Sequence, residues 1–182
     1  MRHKLTFQHI GTALYLVCAL CLISCTQDNV HVPDEGNVPE TWETYTASYP
    51  GILSSTVPLM EEYMQGPVKS QMTIRISNFH SAHSGYVDIY IPQFSINDPF
   101  VLGLMGKAIE IGEMEIDDVE FAAFPSGGGY FRKDKFEVQA GEYTVRGSLQ
   151  GDLSSAGSLT FALHYKPGAM PFEVQSEFDT NQ

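Results

Sequence analysis

His80 and His83 stand three apart in a short polar segment, with Asp88 a little downstream. Two imidazoles from one turn would supply half of a tetrahedral zinc shell, and the remaining donors would have to come from elsewhere in the chain. Without them the pair reads as loop histidines. Glu113, Glu115 and Asp117 alternate with Met114 and Ile116, so on a strand all three carboxylates leave from one face. Such a row of oxygens could collect Ca²⁺; a solvated outer wall accounts for it equally well and is the reading adopted, because an acidic chain must place its charge somewhere. Carboxylate pairs also serve glycoside hydrolysis, but among 22 acids such pairs arise by chance. Ser126-Gly127-Gly128-Gly129 lacks the Lys-Ser/Thr and the following helix of a phosphate loop, and reads as a hairpin. No G-x-S-x-G or H-E-x-x-H is present, and His164 falls on the polar side of its segment, between Leu163 and Tyr165. The expectation is a protein that is not an enzyme, with no catalytic residue, no metal site and no cofactor.

The cysteines point elsewhere. Cys18, Cys21 and Cys25 all lie within the first 25 residues, so the rest of the chain has neither a disulfide nor a thiolate nucleophile. Met1-Arg2-His3-Lys4 is basic, and Ala13 to Ile23 is an uncharged apolar run of 11 residues. That is too short to span a hydrocarbon core, which takes about 20 residues as a helix. A basic start, a short apolar middle and a small residue at its end make an export signal. The run closes on Leu22-Ile23-Ser24-Cys25, which resembles the bacterial lipobox. Cys18 and Cys21 fit it poorly, because bulky Val17 and Leu20 occupy the place of the small residue. The resemblance implies cleavage after Ser24 and lipidation of Cys25. Two or more acyl chains hold a protein stably at a membrane where one does not.

Removal of residues 1–24 leaves eight basic side chains against 22 acids, a formal charge of −14 over 158 residues. Such a chain repels nucleic acid and has too few basic residues to dock electrostatically on anionic lipid. Attachment then falls to the acyl chains, and the expected location is the cell envelope, as an outer-membrane lipoprotein on either the periplasmic or the surface side.

Residues 25–43 are polar and carry Pro33, Pro39 and Gly36, and read as a lipidated flexible tether. From residue 44 to 182, period-2 alternation dominates, the mark of half-buried strands. Gly51 to Val57 is a first candidate, followed by Met72-Ile74-Ile76, Val87-Ile89-Ile91 and Met114-Ile116. Tyr130 to Ala140 and Tyr143-Val145-Gly147-Leu149 come next, then Leu159-Phe161-Leu163-Tyr165 and Phe172-Val174-Phe178. Turn-like separators fall at 81–85, 126–129, 140–141, 151–157 and 167–168. Only 59–64 and 99–105 suit short helices. About eight strands joined by short turns predict an all-β, antiparallel barrel, with a two-sheet sandwich as the second choice. Between Ile116 and Val119 the apolar register slips by one across Asp117-Asp118, which predicts a β-bulge there.

From Met72 onward the chain resembles the calycin-like β-barrel domains of secreted bacterial lipoproteins. The residues that carry the likeness are Ile76-Ser77-Asn78-Phe79, Ile111 through Val119, Gly141 through Leu149 and the terminal Phe172–Phe178 segment. The resemblance implies an antiparallel, lipocalin-like barrel and, by analogy, carriage of a small hydrophobic ligand; it supplies no active-site residues. The inward-facing positions are nearly all large and apolar, with Gly147 small and phenols only at Tyr143 and Tyr165. Two readings stay open: a barrel that binds a small apolar ligand, and an envelope accessory module with a filled core that works through its surface on another protein.

Overall fold

The computed structural model describes residues 43–182. The export signal, Cys25 and the tether lie outside the described residues. Ten strands follow: β1 (Tyr45–Thr56), β2 (Val68–Phe79), β3 (Gly85–Ile91), β4 (Phe94–Ile96), β5 (Ile109–Ile111), β6 (Met114–Ala123), β7 (Gly129–Ala140), β8 (Tyr143–Leu153), β9 (Leu159–Pro167) and β10 (Val174–Asp179). Eight of them close a barrel in the order β1-β10-β9-β8-β7-β6-β3-β2, every neighbour antiparallel. The small β4–β5 sheet and one helix, α1 (Pro99–Met105), fill the connection between β3 and β6.

The alternation read from the sequence puts the apolar side chains inside. Ile74, Ile76, Ile91, Ile116, Val145 and Leu163 are all fully buried, while their strand neighbours Arg75, Glu115, Arg146 and His164 are exposed. The bulge falls where the register slip places it: Val87 pairs with Val119 and Ile89 with Ile116, so Asp88 faces both Asp117 and Asp118. Asp118 takes a left-handed backbone, φ 52°, as does Asn78 on β2, φ 54°. Asp and Asn tolerate this region better than other side-chain-bearing residues. One carboxylate serves both positions, since Asp88 accepts from the Asp118 backbone N–H at 3.1 Å and from the Asn78 side-chain amide at 2.6 Å.

Three expectations are revised. The first strand starts at Tyr45, six residues before Gly51, because Pro50 and its polar neighbours hide the alternation. Residues 58–60 form a single 3-10 turn that begins on Pro58. Gly151 lies inside β8, opposite Phe161, and the β8–β9 turn is confined to 154–158.

The ends of the barrel differ. At one end the strands join through tight loops at 80–84, 124–128 and 154–158, and β1 begins and β10 finishes there. At the other lie the 57–67, 92–113 and 168–173 connections and the two-residue β7–β8 turn. Met60, Met64, Phe94, Ile96, Val101, Ile109 and Phe172 are buried in those connections and extend the core past the strands, so this end is capped.

Candidate functional site

Aromatic rings occupy the barrel toward its open end. The Phe121 and Phe131 centroids lie 4.7 Å apart, Phe79 meets Phe121 edge-on at 5.2 Å, and Tyr45 meets Phe79 at 5.4 Å from the rim. Phe161 and Phe178 stack at 5.1 Å on neighbouring strands. Glycine makes room for them. A Cβ on Gly129 would come within 2.4 Å of the Phe121 ring, on Gly151 within 2.5 Å of the Phe161 Cβ, and on Gly51 within 2.6 Å of the Phe178 ring. Gly147 is therefore not the lone small inward position. Each small position is overlain by an aromatic side chain, so these glycines accommodate rings instead of leaving space for a ligand.

Toward the capped end the interior turns polar at one point. The Ser55 and Ser176 hydroxyls bond at 2.7 Å, and the Tyr165 phenol approaches Ser176 at 3.4 Å. All three residues are buried, and Phe94 from the cap sets its ring edge-on to Tyr165 at 6.4 Å. Burial pushes the Tyr165 phenol well above the ordinary tyrosine range, partly offset by the serine hydroxyls. A phenol so disposed stays protonated at neutral pH and cannot act as a base. The trio satisfies itself, and no buried side-chain polar atom among the described residues lacks a partner.

Asp98 organises the cap. Its side chain is buried and accepts from the backbone N–H of Phe100 at 2.8 Å, of Val101 at 3.4 Å and of Gln65 at 2.9 Å. It thus caps α1 and ties the helix to the β1–β2 connection. Pro99 at the first helical position and Gly106 in a left-handed C-cap, φ 73°, complete the helix. All seven residues of α1 are uncharged and non-polar: Pro-Phe-Val-Leu-Gly-Leu-Met. Val101 alone is fully buried and Phe100 packs partly against the core; Leu102, Leu104 and Met105 are exposed. Tyr63, also exposed, stacks on Phe100 at 5.1 Å. An apolar surface helix with one buried residue inverts the ordinary amphipathic pattern.

Two clefts open beside these features. At the open end a solvent-exposed recess of about 490 Å³ lies between Tyr45, Tyr49, Phe79, Phe124 and the 154–157 turn. At the capped end an open cleft of about 630 Å³ runs between Phe94, Lys107, Glu110 and Tyr143, where the Gly112 and Gly141 backbones cross in close contact. Tyr143 sits in this cleft and not on the barrel axis. Neither cleft is lined by the axial side chains Ile74, Ile116 or Leu163.

The structure does not bring the sequence candidates together. The His80 and His83 rings lie 4.4 Å apart, tilted by 56°, within their loop, and the His80 Nδ1 accepts from the Ala82 backbone N–H. Glu113, Glu115 and Asp117 lie along the outer wall, where Glu113 accepts from the Tyr90 hydroxyl at 2.7 Å. That bond raises the Tyr90 phenol above its ordinary range. Among the described residues no group of three or more His, Cys, Asp or Glu side chains is placed to hold a metal. Gly127 and Gly128 shape the β6–β7 hairpin with φ of 88° and 77°. On the same wall Arg146 grips Glu137 and Arg132 grips Asp134, which lowers both carboxyl pKa values.

Sequence reasoning missed Ser55, Ser176 and Asp98. The serines continue the inward alternations Leu53-x-Ser55 and Val174-x-Ser176-x-Phe178, and a list built from apolar residues alone passes over them. Asp98-Pro99 carried a helix-start signal.

The geometry defines a closed, eight-stranded antiparallel barrel with one capped end. A crystal structure of a Bacteroides fragilis protein described as a "putative outer membrane protein" is similar in fold, with a TM-score of 0.50 and 16% identity over 74% of this chain. This chain spans about half of that protein, 49% of its length. No family model and no curated protein matches the chain.

Proposed function

We propose that this chain is a lipid-anchored cell-envelope module of calycin-like architecture whose filled barrel serves as a rigid mount for a protein-docking surface on its cap. The observation that carries the reading is helix α1, which exposes Leu102, Leu104 and Met105 while Val101, with half-buried Phe100, packs on the core. Contiguous apolar surface of this kind, on a chain with 22 acids and 10 bases, marks an interaction site more often than a chance exposure. The occupant is a protein with an apolar groove, read by side chains from a short helix.

Carriage of a small hydrophobic ligand, which the calycin likeness suggests, fits less well. An eight-stranded barrel holds either its own side chains or one small ligand, and the rings of Phe79, Phe121, Phe131 and Phe161 take the space. Lipidation at Cys25 would anchor the chain; Cys25→Ser is expected to release a folded, soluble barrel, and membrane retention of that variant counts against the anchor.

Cross-linking in the native envelope, followed by mass spectrometry, separates the two readings. Docking predicts a cross-linked protein that is lost in Leu104→Asp and retained in Leu59→Asp, an exposed site outside α1. A stoichiometric apolar small molecule in the purified barrel, with cross-links indifferent to Leu104, would overturn the proposal in favour of carriage.

A further inference from the structure

The open end of the barrel is chemically unlike the rest of the chain. Its three loops read His-Ser-Ala-His-Ser (80–84), Phe-Pro-Ser-Gly-Gly (124–128) and Ser-Ser-Ala-Gly-Ser (154–158), and the chain finishes beside them as Thr-Asn-Gln (180–182). None of these 18 residues is Asp, Glu, Lys or Arg. The connections at the capped end, by contrast, carry Glu61, Glu62, Glu110, Glu142 and Glu173. The carboxylates nearest these loops lie beside them: exposed Glu43 just ahead of β1, and Asp152 and Asp179 on the outer wall, on β8 and β10.

The neutral loops stand beside exposed aromatic side chains. Phe124 at the first position of its hairpin is 46% exposed, and Tyr45 at the start of β1 is 47% exposed. The rim is built firmly. Backbone bonds close the two hairpins in the same way, Phe124 N–H to Gly128 at 3.0 Å and Ser154 N–H to Ser158 at 2.9 Å. The first hairpin rests on the second, since a Cβ on Gly128 would strike the Leu153 carbonyl and the Ser154–Ser155 backbone.

The polypeptide enters the barrel at this same end, through Tyr45. Between Cys25 and Tyr45 stand 19 residues, which reach no further than about 65 Å fully extended. Loops that must lie against anionic lipid beneath an acidic protein are best kept free of carboxylates, because like charge repels at close range. Exposed Phe and Tyr rings suit the boundary between headgroups and acyl chains.

We infer that the neutral loops of the open rim, led by Phe124, form a membrane-facing surface that rests on the lipid headgroups and turns helix α1 away from the bilayer. The inference rests on the anchored reading of Cys25 and adds an orientation to it. The occupant of the rim is phospholipid, and the occupant of α1 is protein.

The test uses the full lipidated chain in vesicles of phosphatidylethanolamine and phosphatidylglycerol. Phe124→Cys and Leu104→Cys are prepared separately, each carrying an environment-sensitive dye; lipidated Cys25 does not compete for label. Ser126→Cys, on the exposed tip of the same hairpin, stands in should Phe124→Cys fold poorly. Flotation scores attachment, and quenching by brominated acyl chains scores depth. The expected result is a blue-shifted, quenched dye at 124 or 126 and an unshifted, unquenched dye at 104. Water at the rim, or lipid at Leu104 alone, in a chain that floats overturns the orientation and leaves the anchor standing. A chain that does not float overturns both.

Discussion

The two ends of the barrel solve the problem of closing a sheet in different ways. At the open end the strands turn back at once, and the interior is stopped by rings: Tyr45 over Phe79, Phe79 against Phe121, and Phe121 against Phe131. At the capped end the chain spends 22 residues between β3 and β6, and the interior stops at hydrogen-bonded hydroxyls beneath a lid of Phe94, Val101 and Met60. One end is held by packing of large surfaces, which is strong and unspecific in direction. The other adds directed bonds to its apolar lid, which contribute less each but fix geometry. The difference matches the roles proposed for them: a neutral rim against lipid needs no fixed partner geometry, and a helix offered to a protein does.

The largest expected effect is at the open end. Phe131→Ala removes a fully buried ring from the centre of the stack, and unfolding by urea should show a loss of about 3–5 kcal/mol. A loss below about 1 kcal/mol would mean that the rings are not what holds that end.

Next in size is Asp98→Ala, which leaves three backbone donors without their acceptor. It is expected to cost about 2–3 kcal/mol. Amide hydrogen exchange should accelerate at Gln65 and Phe100 while the strands stay protected. Uniform acceleration across the barrel would show that the cap is not a separate unit.

A smaller loss, about 1–2 kcal/mol, is expected for Ser176→Ala, which takes the shared partner of the Ser55 and Tyr165 hydroxyls out of a buried site. The triple variant Ser55→Ala, Ser176→Ala, Tyr165→Phe removes every member together and should be more stable than the sum of the single losses implies. Strict additivity would deny that the three act as a unit.

The smallest effect at neutral pH concerns Tyr165 itself. Its phenol is held above the unfolded value of about 10, so the stability it contributes is complete below that pH and falls as pH rises beyond it. Thermal midpoints measured from pH 9 upward should decline more steeply in the native chain than in Tyr165→Phe. Parallel curves would place the alkaline sensitivity elsewhere.

Much of this molecule is legible in its sequence, for reasons that can be located. Strands such as Leu159–Pro167 alternate without fault because one side meets the core and the other meets water. The bulge at Asp117-Asp118 shows because a register slip displaces every later apolar residue. The β4–β5 sheet does not show: three residues such as Phe94-Ser95-Ile96 are too few for a period to declare itself. Ser55 and Ser176 were hidden by chemistry, since serine reads as an outward residue until its partner across the seam is known. The surface character of α1 does not show either, because Pro-Phe-Val-Leu-Gly-Leu-Met has no polar position to mark which face meets water.

The bond between Ser55 and Ser176 spans 121 residues, joining the first strand to the last. A separation of that size carries a loop-closure cost of about 4 kcal/mol in chain entropy. The hairpins from β6 to β10 can form locally and early, but the seam cannot close until β10 has been made and delivered. Folding should therefore be slow for a domain of this size, in the millisecond-to-second range of non-local β topologies. During that interval β1 and β10 each present an unpaired edge. A chain interrupted before Val174 would never lose its edge, and its natural fate is to pair with another copy.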